Sequence, residues 1–235
     1  MTAAIVASLF SAVTSLAASV EQQDFRQLAT KSELIFEGRV MSVEPRWNIG
    51  RTQINSWVLF EVTDVLKGQW AEPRINLRFA GGEVDGMRLE ISGISYPEVG
   101  ERGIYFVEST ANDQFNPLLG WEQGRFRLLK DGSGHDRVCT AKGLPVAGLD
   151  TDAESVTSLV ERNVALPSIR QLQGRGPLRR SDADRQLESG LSSGRALGVE
   201  IVASQSLTEA MTGNSFKSLV RALVPTAPAE KGERP

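Results

Sequence analysis

Between residues 33 and 143 the chain changes its hydrophobic rhythm from a helical one to a period of two. Residues 21–32 are polar, with Phe25 and Leu28 three apart, which predicts a short helix. From there Phe36 and Val40 alternate with Glu37 and Arg39, as in a strand with one wet face. Gly38 falls on the inward set, where a missing side chain permits a bend or close packing. A loop is expected over 45–53, then a long strand over 54–66 with Val58, Phe60 and Val62 on one side. Ile75, Leu77 and Phe79 alternate with Arg74, Asn76 and Arg78, and Met87, Leu89 and Ile91 with Arg88, Glu90 and Ser92. Gly81-Gly82 and Asp85-Gly86 lie between, so residues 74–92 read as a hairpin. Residues 103–107 form an apolar, central strand. Residues 118–130 follow, with Phe126 and Leu128 inward and Arg125 and Arg127 outward. Asp131-Gly132-Ser133-Gly134 turns the chain into residues 137–141.

This density of short strands predicts a mainly β domain over 20–148, a small closed or partly open antiparallel barrel of OB-like form. Closure would remove exposed strand edges. Beyond it the composition shifts. Residues 167–198 carry many Gly, Ser, Arg and Asp and lack Phe, Trp and Tyr, so 149–205 reads as a partly disordered linker, with one short helix over 154–164. Ser206-Leu207-Thr208-Glu209 is a capping-box pattern that predicts a C-terminal helix over 206–224, stopped by Pro225 and followed by a disordered tail over 225–235. Two roles are open to this helix, docking on the barrel or making a separate contact.

Residues 3–16 are uncharged and followed by small residues, Ser15-Leu16-Ala17 and Ala17-Ala18-Ser19. That pattern predicts a signal peptide over 1–19 and a secreted or periplasmic address. A buried helix and an uncleaved anchor are the alternatives, since no Lys or Arg precedes the apolar run. No later stretch is apolar for the ~20 residues that a helical span requires. The chain has 235 residues with a formal charge of -3, so no net positive field draws it to nucleic acid.

Candidate chemistry is sparse. The single Cys139 excludes an internal disulfide, and with His135 it offers too few ligands for a zinc site. A lone cysteine on a return strand reads as a small buried hydrophobe. Residues 190–194 match a nucleophile elbow, but an apolar strand before the motif and a histidine after it are both missing. Glu83, Asp85, Glu90, Glu98, Glu101, Asp113, Asp131 and Asp136 are scattered, and read as turn residues and wet strand faces. No metal or cofactor is expected. Trp47 in a loop, Trp57 near a strand start and Trp121 before a strand are the candidate ligand-contact aromatics, with Trp70 beside them. Plugging the barrel ends is the other use such rings have.

Three segments carry a resemblance. Ser32-Glu33-Leu34-Ile35-Phe36-Glu37-Gly38-Arg39-Val40 is the first. Val58, Phe60, Val62, Val65 and Lys67-Gly68 make the second, and Val99-Gly100-Glu101 with Ile104-Tyr105-Phe106-Val107 the third. Together they resemble uncharacterised exported bacterial proteins whose barrel is similar to the OB-fold of tissue inhibitors of metalloproteinases. The resemblance covers residues 32–109 and implies fold more than function. Those inhibitors grip zinc through an N-terminal cysteine, and this chain has none near Val20 or Glu21. The leading expectation is therefore an exported, non-enzymatic binding module with a protein or polysaccharide partner. An exported hydrolase acting through a carboxylate site is the alternative.

Overall fold

The β1–β2 hairpin forms the spine of the molecule. In the computed structural model, which describes residues 21–91, 95–111, 114–150 and 195–224, β1 spans Leu34–Trp47 and β2 spans Ile54–Lys67. Register shifts in their pairing mark bulges, which coil the ribbon so that one sheet can wrap on itself. β3 (Arg74–Ala80) pairs with β2. β6 (Arg102–Val107) pairs with β1, and β7 (Arg125–Lys130) and β8 (Asp136–Thr140) follow. The six-stranded antiparallel sheet has the order β3-β2-β1-β6-β7-β8. Two ribbons flank it, β4 (Gly82–Val84) with β5 (Met87–Leu89), and β9 (Val146–Leu149) with β10 (Val199–Ile201). The fold is mainly β, and the barrel takes its partly open form. The gap beside β3 is spanned by loops: the Tyr96 hydroxyl donates to the Ala80 carbonyl, and the Ala80 amide donates to Phe115.

The central part of the sheet is buried on both faces, while β3 and the adjoining part of β2 keep one wet face. Phe36, Val58, Phe60, Leu77, Phe79 and Tyr105 fill the inside of the curl. Ile35, Ile104, Phe106, Phe126 and Val138 point outward and are covered by α1 (Phe25–Lys31) and α2 (Gly213–Leu223). Burial on both faces explains why residues 104–107 are continuously apolar. At the centre Gly38 faces Gly103 across β1 and β6. A β-carbon on Gly38 would lie 2.7 Å from the Glu61 carbonyl oxygen and 2.8 Å from the Phe36 ring. On Gly103 it would lie 2.6 Å from the Phe126 oxygen and 3.1 Å from the Tyr105 ring. The rings of Phe36 and Tyr105, 5.3 Å apart, lie over the space that the two glycines leave.

Several expectations are corrected. Strand β1 runs through Pro45 to Trp47, so the loop shrinks to 48–53, where Asn48 Oδ1 accepts from the amides of Thr52 and Gln53. Proline is tolerated because β6 leaves β1 at Arg39, and there is no ladder partner on that side of Pro45. The hairpin expected over 74–92 is smaller: β3 pairs with β2, and the tight turn at Asp85-Gly86 joins only β4 and β5. Both turn residues have positive φ, as a type I′ turn requires. Residues 118–130 are not one strand, because a 3-10 turn at Trp121–Gly124 precedes β7. Residues 195–202, placed in the linker by composition, instead pack, with Ala196, Val199 and Val202 buried. The C-terminal helix begins not at Ser206 but at Thr212, whose hydroxyl accepts from the Ser215 amide. Ser206 opens only a 3-10 turn over Leu207–Glu209; main-chain bonds from Val138 to Met211 and from Met211 to Val146 then hold Met211 between strands, so the α-helix starts only after it. Of its two possible roles the helix takes docking, with Phe216 and Val220 fully buried. The signal peptide expected over 1–19, the short helix expected over 154–164, the elbow-like motif at 190–194 and the tail over 225–235 lie outside the described residues.

Candidate functional site

The register of β6, β7 and β8 collects polar groups on the inner face. Tyr105 lies across from Arg125, Gly103 from Arg127, and Arg127 from Cys139. Alternation therefore brings Glu101, Tyr105, Arg125 and Arg127 to one side. This reverses the sequence reading of 125–128: Phe126 and Leu128 pack under the helices, and it is the arginines that face into the curl. Period-two alternation identifies two faces but not which one is wet, and here neither is.

Glu101 stands at the centre of this group. Its side chain is 3% exposed, and its Oε1 accepts from the Tyr105 hydroxyl at 3.2 Å and lies 3.3 Å from Arg125 Nε. Its Oε2 lies 3.5 Å from Arg127 Nε. Burial raises the Glu101 pKa, against the pull of the two guanidinium groups. Burial, reinforced by the Glu101 charge, also pushes Tyr105 well above its ordinary value. The Arg125 head donates to the carbonyls of Ser95 and Ala141. Within this carboxylate–guanidinium group three buried atoms lack a hydrogen-bond partner: Glu101 Oε2, Arg125 Nε and Arg127 Nε. Beside them, where β6 and β7 part after the Gly103–Arg127 pair, a cleft of about 350 Å³ lies between residues 98–102 and 127–130.

On the outer face, charges alternate in a chain that fastens α2 to the sheet. Lys130 and Arg102 hold Asp136, Arg102 and Lys217 hold Glu37, and Lys217 and Arg221 hold Asp64. Burial alone would lower the Lys217 pKa, but its bonds to Glu37 and Asp64 carry it upward. A smaller cavity of about 200 Å³ lies beside this chain, lined by His135, Thr212, Asn214 and Lys217 among others.

The tryptophans do not form one platform. Trp47 ends β1 across from Ile54, on the face of Val43, with its Nε1 buried and unpartnered and Arg51 5.8 Å above its ring. Trp57 lies on the opposite face of the hairpin, half-buried between Glu44 and Arg78. Trp121 stands on the 3-10 turn near the start of β1, far along that strand from Trp47. Trp70 packs on the inner core and donates to the Arg74 carbonyl.

Cys139 is buried and its thiol is pushed up to about 11 by desolvation, while His135 is exposed at the turn tip. Of the carboxylates singled out from the sequence, Glu101 and Asp131 are buried. The hydrogen bond from Arg137 holds Asp131 down to about 2. Among the described residues no three His, Cys, Asp or Glu side chains cluster as a metal site, and no helix is long and apolar enough to cross a membrane. No family model, curated protein or solved structure matches the chain.

Proposed function

We propose that this chain is a secreted or periplasmic binding module, an OB-like barrel that recognises a protein or polysaccharide partner. One observation carries the reading: the cleft between β6 and β7 keeps buried charged groups with unmet hydrogen-bonding capacity. Such groups, next to a concave, partly apolar surface, are what a recognition site presents before its ligand arrives. The uncharged run over 3–16 and the small residues after it supply the exported address. The strand order and the resemblance to exported barrel proteins support the OB-like description.

Expression of the full chain with a C-terminal epitope tests the address. Recovery from periplasm or medium, with a new N-terminus after Ala17 or Ser19, is the expected result; an intact cytosolic chain overturns it. The alternative, an exported hydrolase acting through a carboxylate, draws on the raised pKa of Glu101, as a general acid requires. It predicts turnover of some exported polymer that is lost in Glu101→Gln. The binding reading predicts saturable association without turnover.

A further inference from the structure

The buried charges at the cleft do not balance. Glu101 is the one buried carboxylate beside two guanidinium groups, those of Arg125 and Arg127, while the other carboxylate on the lining, Glu98, is exposed and makes no ion pair with a described residue. The two arginines are placed differently. Arg125 is 4% exposed and spends its head on Ser95 and Ala141. Arg127 is 30% exposed and makes no hydrogen bond to any described residue, so its two-pronged head is unspent. Arg102 and Lys130, also on the cleft, are committed to Glu37 and Asp136. A planar guanidinium with free donors matches a carboxylate in geometry and in charge.

The remaining lining is Glu98, Gly100 and aliphatic groups. Val99 is 65% exposed, and Leu129 lies opposite it along β7, next to the buried Leu128. No aromatic ring lines the cleft to take the flat face of a sugar. A volume of about 350 Å³ stands at the small end of ligand pockets.

We infer that this cleft takes a carboxylate carried on a short aliphatic group, as at the C-terminus of a peptide ending in an aliphatic residue. The carboxylate meets the Arg127 head, and the aliphatic group lies on Val99 and Leu129. Capture of chain-terminal carboxylates is a recurring mode of peptide recognition. The inference rests on the binding-module reading and gives its ligand a chemistry.

Titration of the processed protein with N-acetyl-L-leucine, followed by backbone amide NMR, tests it. Saturable shifts are expected at Gly100, Arg102, Leu128 and Leu129, with a dissociation constant on the order of 1 mM for so small a probe. N-acetyl-L-leucinamide, which keeps the side chain and loses the charge, is expected to bind at least about tenfold more weakly, the worth of a charge-assisted hydrogen bond. Arg127→Gln is expected to abolish the shifts while the amide spectrum elsewhere stays folded. The wild-type pair of probes decides the matter even if that variant misfolds. Equal binding of acid and amide, tighter binding of glucuronate, or no shift at 20-fold excess over that constant overturns the inference. In the last case a single buried water satisfies the Glu101 group. Saturable binding of another ligand on the Trp57 face would leave the binding module standing and remove only the carboxylate cleft.

Discussion

Phe216→Ala isolates the contribution of the docked helix. The side chain is fully buried, and its ring centre lies 4.8 Å from that of Phe126, 5.4 Å from Phe25 and 6.5 Å from Phe106. Truncation removes apolar area and leaves a cavity, together costing about 3–5 kcal/mol for a buried phenylalanine. The upper part of that range applies, because Phe106 and Phe126 sit on adjacent central strands and cannot collapse into the space. A domain is stable by only about 5–15 kcal/mol, so this is a large share. With a urea slope of about 2 kcal/mol per molar, the unfolding midpoint falls by about 2 M. The tryptophans report the transition by fluorescence. Ser218→Ala, on the exposed side of the same helix, is the control and is expected to stay within about 0.5 kcal/mol. A midpoint shift below about 0.5 M for Phe216→Ala would mean that α2 does not share the core, and the docked arrangement would be wrong.

Other consequences follow from single contacts. Gly103→Ala forces a methyl against the Phe126 carbonyl and the Tyr105 ring, and calorimetry should show a loss of about 1–3 kcal/mol; Gly132→Ala, with open space around it, should show little. Asp131 is held down to about 2, so its ionised form stabilises the fold above its unfolded pKa and that contribution is lost as pH falls from about 4 to about 2. Urea midpoints for Asp131→Asn should therefore fall less steeply across that window than those of the parent; equal slopes would refute the Arg137 pairing. Cys139, buried with its thiol pushed up to about 11, should resist iodoacetamide at pH 8 until the protein is unfolded, as followed by mass spectrometry. Lys217→Met should couple with Asp64→Asn by about 0.5–1.5 kcal/mol in a double-mutant cycle, and additivity would deny the ion chain a part in docking α2.

Much of the sheet was legible because its alternation is strong. Phe36 with Val40, and Val58 with Phe60 and Val62, announce their face without help from tertiary contacts. The Asp131–Gly134 turn between β7 and β8 is local chemistry and was read correctly. What failed depends on distant partners. Proline at 45 marks a loop unless one knows that β6 has already left β1. Ser206 has every local mark of a helix cap, yet Met211 is claimed by Val138 and Val146, and the helix waits for Thr212. Residues 195–202 look like linker until Val199 meets the strand at Leu149. The candidate site was half visible: Glu101 stood among scattered acids, but Arg125 and Arg127 were assigned to solvent. The one signal that could have flagged them is that Phe126 and Leu128 alternate with arginines in a strand whose neighbour, β6, is apolar on both faces.

That neighbour explains why the barrel opens where it does. β1, β2 and β3 line the curl with Phe36, Phe60, Leu77 and Phe79, and such surfaces close on each other without loss. β7 instead presents Arg125 and Arg127 to the same interior. Closing a strand over them would strip water from two guanidinium groups against a single carboxylate, and a buried charge without its match is costly. The sheet ends at β3 and β8, which do not pair with each other, and Ser95 and Tyr96 bridge toward Arg125 and Ala80 with carbonyl and hydroxyl groups. Filling the Arg127 position with an apolar residue should therefore tighten the fold and empty the site in one step. Arg127→Leu, with Glu101 left in place to match Arg125, is expected to keep or raise the urea midpoint while losing all response to N-acetyl-L-leucine. Loss of stability in that variant would show instead that the charged group is there to hold the barrel together.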